Sequence, residues 1–75
     1  MAQITVVNNT GSDINVFVAK DNETDDGSFI TVSANGGTES WDRNNWQAVF
    51  IARDQAAGSP LEVVLGVPNQ TVYIN

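Results

Sequence analysis

Both tryptophans of the chain lie in one short polar stretch, residues 41–46. An indole ring can cover the apolar C–H face of a pyranose, while carboxylate, amide and guanidinium groups can hydrogen-bond to its rim of hydroxyls. Residues 41–46 supply every one of these groups. We therefore predict a ligand site formed by Trp41, Asp42, Arg43, Asn44, Asn45 and Trp46.

The two tryptophans are not equally suited to stacking on a sugar. Trp46 is in phase with Ala48 and Phe50, so a core position would suit it equally well. Trp41 is therefore the better candidate for the ligand contact, although it could instead cap one end of the fold.

The polar residues between the tryptophans have the chemistry to bind hydroxyl groups. We expect Asp42, Asn44 and Asn45 to contact hydroxyls, and Arg43 to contact a hydroxyl or an acidic sugar. The dipeptide Asn44-Asn45 is typical of a turn, and a rigid hairpin here would hold these groups in place. The alternative role for Arg43 is an ion pair with Asp42 or Glu39.

The composition argues against catalysis. The chain has no histidine and no cysteine, which removes the commonest general base, the commonest metal ligand and all thiolate chemistry. Two carboxylates could serve a glycosidase, but such an enzyme normally needs a larger cleft than this chain can build. We expect a protein that is not an enzyme and that has no cofactor.

An acidic loop at residues 21–27 is the one place where calcium could bind, through Asp21, Glu23, Asp25 and Asp26. Its spacing begins like an EF-hand loop, but Asp26 stands where that motif needs glycine, and Val32 stands where it needs glutamate. The alternative is a solvated loop whose charges keep neighbouring strand edges apart.

The net charge of -6 limits the choice of partners. Nucleic acids and anionic lipids are held mainly by lysine and arginine, so we expect neither as a partner. No apolar run approaches the length of a membrane span. The start of the chain also lacks a basic, apolar signal segment, which predicts a protein that is cytoplasmic or released without a classical signal.

Seven short segments are rich in β-branched and aromatic residues and are separated by Asn, Gly, Pro and Ser. This pattern predicts a single all-β domain over residues 1–75, a small antiparallel β-sandwich or barrel of about six to seven strands. The predicted strands cover residues 3–8, 13–20, 28–33, 38–42, 46–53, 61–66 and 70–75.

Two of these strands, residues 13–20 and 46–53, carry apolar side chains on both faces. A chain of 75 residues cannot easily bury both faces in one small sandwich. We therefore expect a homo-oligomer in which another copy covers the second face. The alternative is a closed monomer with a few exposed apolar residues.

Three parts of the chain resemble small cysteine-poor β-sandwich proteins of fungal fruiting bodies, which include lectins and the lipid-binding aegerolysins. They are Ile4-Thr5-Val6-Val7-Asn8-Asn9-Thr10-Gly11, the run at residues 27–32, and Trp41. The likeness is one of strand and turn style, without a shared motif, so no site residue is transferred. The resemblance implies a soluble fungal defence or recognition protein that binds glycans and is often oligomeric.

Residues and resemblance together predict a carbohydrate-binding protein, or lectin. It would have a shallow sugar site on the Trp41–Trp46 hairpin and become multivalent through homo-oligomerisation. The first alternative is a membrane-lipid-binding or pore-forming defence protein whose exposed aromatics enter a zwitterionic interface. The second is a structural or interaction protein without a small ligand.

Overall fold

The computed structural model describes residues 2–20, 29–53 and 61–75, and the part of the chain that it describes forms seven β-strands and no helix. In these ranges nothing could cross a membrane as a long apolar helix. The strands are β1 (Gln3–Asn8), β2 (Ile14–Val18), β3 (Ile30–Val32), β4 (Gly37–Asp42), β5 (Gln47–Ala52), β6 (Glu62–Gly66) and β7 (Thr71–Ile74).

The strands form two sheets. The three-stranded sheet has the order β4-β1-β7, and the four-stranded sheet has the order β3-β2-β5-β6. Every described strand pair is antiparallel except β1 and β7, which run parallel. The predicted all-β fold class is confirmed, and the parallel pair is the one departure from an antiparallel arrangement.

The core lies between the two sheets because alternate side chains of each strand point inward. Burial alternates with a period of two residues along β1, β2 and β5. The buried apolar residues of both sheets form one cluster, consisting of Ile4, Val6, Ile14, Val16, Val18, Val32, Trp41, Val49, Ile51 and Ile74.

The chain crosses between the sheets at four corners. These corners follow β1, β3, β4 and β6, and each joins a strand of one sheet to a strand of the other. Positive φ angles occur at Asn35 (59°), Gly36 (95°) and Asn69 (66°), within two of these corners. Asparagine and glycine adopt this conformation at the lowest cost, which explains their use there.

A fully buried asparagine fastens two corners together at one end of the molecule. Asn8 Nδ2 donates to the carbonyl oxygens of Ser12 (2.9 Å) and Val32 (3.0 Å), and its Oδ1 accepts from the backbone N–H of Thr10 (2.9 Å). The carbonyl of Asn8 also accepts a 2.7 Å hydrogen bond from the N–H of Gly36. A buried amide with its polar groups satisfied in this way stabilises the corners instead of destabilising the core.

Candidate functional site

The corner between β4 and β5 carries the predicted site. β4 pairs with β1 in the three-stranded sheet, whereas β5 pairs with β2 and β6 in the four-stranded sheet. The expected hairpin over residues 41–46 is therefore wrong, because these two strands are not hydrogen-bonded to each other. The segment instead carries the chain across the sandwich, and this separates the two tryptophans.

Trp41 points into the core. It pairs with Ile4 on β1, is only 8% exposed and belongs to the central apolar cluster. An indole surrounded by core side chains presents no free ring face to a ligand. The expectation that Trp41 stacks on a sugar is therefore corrected. Its indole is buried because Trp41 occupies an inward position on β4.

Trp46 lies outside the core, with 66% of its surface exposed. It precedes β5 and continues the phase of Ala48 and Phe50, which is the outward phase because Gln47, Val49 and Ile51 point inward. The alternative core position for Trp46 is thus excluded by its exposure. Of the two indoles, this is the one that a ligand can reach.

Arg43 holds the corner to the end of β2. Its Nε donates to the carbonyl oxygen of Ala19 (2.9 Å) and its Nη2 to that of Val18 (3.0 Å), while Nη1 donates to the carbonyl of Asp42 (2.7 Å). Charge-assisted hydrogen bonds from a planar guanidinium are stronger than neutral ones and fix direction. Arg43 therefore positions the corner, and these bonds replace the ion pair considered from the sequence.

A shallow pocket opens beside this corner, with a volume of about 150 Å³. Four of the six predicted site residues line it, and two further residues join them. The lining consists of Lys20, Asp42, Arg43, Asn44, Asn45 and Gln47. The side chains of Asn44 and Asn45 are exposed, and Asp42 Oδ1 accepts a 2.9 Å hydrogen bond from Gln3 Nε2. The pocket thus combines amide, carboxylate and cationic groups.

Sequence reasoning missed Lys20 and Gln47. Gln47 could have been recognised in the sequence, because it is a polar residue in phase with the apolar residues Val49 and Ile51. The structure shows that this phase points inward and that Gln47 is buried at the start of β5. Lys20 had no such signal. It reaches the pocket only because β2 lies beside β5 in antiparallel register.

A second cavity, of about 210 Å³, lies at the opposite end of β2 and is lined by Thr10, Ser12, Ile14 and Arg53. The guanidinium of Arg53 is already engaged there by the Glu62 carboxylate and by the carbonyl oxygen of Asn75. None of the lining residues is aromatic. No tryptophan adjoins these residues in the chain, whereas Trp46 adjoins Asn45 and Gln47 at the first pocket.

The calcium candidates Asp21, Glu23, Asp25 and Asp26 lie outside the described residues. Within the ranges that the structure does describe, no three carboxylate side chains converge to form a metal site.

Comparisons with known proteins give no relative for this chain. No protein-family model, no curated protein and no solved structure matches it. The function therefore has to be argued from the site itself.

Proposed function

We propose that this protein is a non-catalytic carbohydrate-binding protein whose sugar site is the pocket at the β4–β5 corner together with Trp46. The observation that carries the proposal is an accessible indole whose two chain neighbours line a polar pocket. Trp46 is 66% exposed, and its two chain neighbours Asn45 and Gln47 both line the pocket. Sugars are bound by this pairing of a flat apolar surface with oriented polar groups.

In the proposed complex the apolar face of one pyranose lies on the Trp46 indole. The amides of Asn44 and Asn45 and the carboxylate of Asp42 hydrogen-bond to the ring hydroxyls. Arg43 does not need to touch the sugar. Its three hydrogen bonds to main-chain carbonyls keep the corner in one conformation, which lowers the entropy lost on binding.

The size of the pocket suits one sugar ring. Sites for drug-sized ligands usually enclose roughly 300–1,000 Å³, whereas this pocket encloses about 150 Å³. A single site of this size binds weakly. Useful affinity would come from several copies engaging one glycan surface, since each further contact becomes intramolecular once the first has formed.

The test is a glycan array with the wild-type protein, Trp46→Ala and Tyr73→Ala. Tyr73 is the matched control, because it is an exposed aromatic of similar exposure, 62%, on the other sheet. We expect selective binding that Trp46→Ala weakens at least tenfold and Tyr73→Ala leaves unchanged. Asn44→Ala should also weaken binding, because it removes a polar contact without touching the indole.

Two results would overturn the proposal. One is a blank array from protein that circular dichroism shows to be folded. The other is selective binding that survives Trp46→Ala and Asn44→Ala, which would place the sugar elsewhere on the surface. With a blank array, co-sedimentation with phosphatidylcholine vesicles would then test the lipid-binding alternative.

A further inference from the structure

The outer faces of the two sheets differ in polarity. On the three-stranded sheet two outward pairs are polar, with Gln3 bonded to Asp42 and Thr5 sharing a 2.9 Å hydrogen bond with Ser40, beside the outward pair of Val7 and Tyr73. Such a face is compatible with water. On the outer face of the four-stranded sheet, the polar pair in which Thr31 Oγ1 donates to Asn15 Oδ1 (2.9 Å) covers only the β2–β3 margin.

Apolar side chains dominate the outside of the four-stranded sheet. The β-strand register places Phe17 beside Phe50, Phe50 beside Val63, and Ala48 beside Leu65. We call this surface the apolar outer face, and it consists of Phe17, Phe29, Ala48, Phe50, Val63 and Leu65. No charged residue occupies an outward position on the described strands of this sheet, although the chain has 3 basic and 9 acidic residues.

An aromatic group lies at the centre of this face. The rings of Phe17 and Phe50 are stacked with centroids 5.7 Å apart, and Phe29 packs against Phe17 at 5.9 Å. Large rings held in fixed positions lose little entropy when a partner covers them, and clustered aromatics are typical of interface centres.

Several large apolar side chains of this face are exposed to solvent. Phe29, Val63 and Leu65 are 42%, 58% and 58% exposed, and Leu61, which continues the outward phase at the margin of the face, is 53% exposed. Monomeric proteins rarely leave a large contiguous apolar patch uncovered. A stable interface buries roughly 800 Å² on each partner, so the contact would extend over most of this face, which spans β2, β5 and β6.

We propose that the apolar outer face is covered by the same face of a second copy, giving a two-fold symmetric dimer with four layers of sheet. A two-fold axis brings the same face of both copies together, and stacked sheets pack about 10 Å apart with interdigitating side chains. The absence of charge on this face lets two acidic molecules meet without opposing carboxylates. This inference does not depend on sugar binding.

A lipid surface is the alternative occupant of this face, and the geometry favours the second copy. Five of the six residues of the face lie on strands, and Phe29 directly precedes β3, so the apolar side chains belong to a sheet and not to a projecting loop that could enter a bilayer. The whole chain also carries a charge of -6, which opposes approach to anionic membranes.

Sedimentation equilibrium without sugar, from micromolar to millimolar protein, tests the dimer. We expect wild-type protein to move from 8.0 kDa towards twice that mass. Leu65→Lys should shift the midpoint at least tenfold to higher concentration, because it places a charge on the face. Tyr73→Lys is the matched control, since it makes the same charge change at a residue that is 62% exposed, compared with 58% for Leu65.

Both lysine variants lower the net negative charge of the protein, so each weakens the electrostatic repulsion between copies. Loss of the dimer in Leu65→Lys alone therefore reports contact at the face. Added salt should tighten the wild-type dimer by screening that repulsion. Val63→Lys gives a second variant at an exposed strand position should Leu65→Lys fail to fold.

Three outcomes would overturn the proposal. The first is wild-type protein that remains a monomer up to millimolar concentration. The second is self-association that both lysine variants alter equally or neither alters. The third is monomeric protein that co-sediments with phosphatidylcholine vesicles and loses this in Leu65→Lys, which would assign the face to lipid. A blank glycan array affects none of these results.

Discussion

Replacing each tryptophan in turn by alanine should have very unequal effects on the free energy of unfolding. Trp41 packs into the core with 8% of its surface exposed, while Trp46 is 66% exposed on the outside. Trp41→Ala removes a large side chain from a closed cluster and leaves a cavity, whereas Trp46→Ala removes one that mostly contacts solvent. The pair is internally matched because the chemical change is identical.

The magnitude for Trp41 is large relative to the total stability. Truncation of a buried tryptophan costs about 3–5 kcal/mol. A domain of 75 residues has a free energy of unfolding of about 4–11 kcal/mol at typical values per residue. Trp41→Ala should therefore remove at least a quarter of the stability and can unfold the protein outright. For Trp46→Ala we expect a change within about 0.5 kcal/mol.

Urea unfolding followed by far-UV circular dichroism measures this difference without relying on tryptophan emission. In a thermal scan, 3 kcal/mol corresponds to a Tm at least about 12 °C lower for a domain of this size. Trp41→Phe provides a milder variant that retains an aromatic ring, so it should stay folded when Trp41→Ala does not.

The assigned positions of the two indoles are refuted if Trp41→Ala loses less than about 1 kcal/mol, or if Trp46→Ala loses more than about 2 kcal/mol. Either result would mean that the β4–β5 corner does not place Trp41 between the sheets and Trp46 outside. It would also reverse the choice of stacking residue, because the sugar site depends on which indole is accessible.

Two further comparisons test the packing. Gly66→Ala should cost about 1–3 kcal/mol in urea unfolding, because a Cβ there would lie 2.8 Å from Val49 Cγ2. Gly11→Ala is the control and should leave stability unchanged or raise it by up to about 1 kcal/mol, since a Cβ at Gly11 meets nothing within 4 Å. Asn8→Ala should cost more than about 2 kcal/mol by stranding buried backbone groups, while Asn9→Ala, at an exposed neighbour, should change stability by less than about 0.5 kcal/mol. Equal effects within either pair would contradict these contacts.

The strands could be predicted from the sequence because their causes are local. Alternating β-branched residues specify an extended chain, and asparagine and glycine specify the turns. The positive φ angles at Asn35, Gly36 and Asn69 occur inside two of the predicted turns. β1 has the predicted bounds, and the described ends of the other strands differ from prediction by no more than a few residues.

The sheet to which each strand belongs could not be predicted, because it depends on contacts between residues far apart in the chain. Asn44-Asn45 has turn chemistry whether the two flanking strands pair or lie in different sheets. Here Trp41 is paired with Ile4 across β1, a partner 37 positions earlier in the numbering of the chain. That long-range pairing turns the segment into a corner and decides which indole is buried.

Trp46 belongs to the proposed sugar site and also lies at the margin of the apolar outer face. Its chain neighbours line the polar pocket, and its phase along β5 is that of the apolar outer face. Trp46→Ala alone therefore cannot assign the residue to one role. Asn44→Ala should weaken single-site binding, measured in solution with a monovalent sugar, and leave the dimer intact, and Leu65→Lys should do the reverse. If each single-site variant moves only its own measurement, the pocket and the sheet face act independently. If Trp46→Ala then moves both, this indole borders the sugar and the second copy at once.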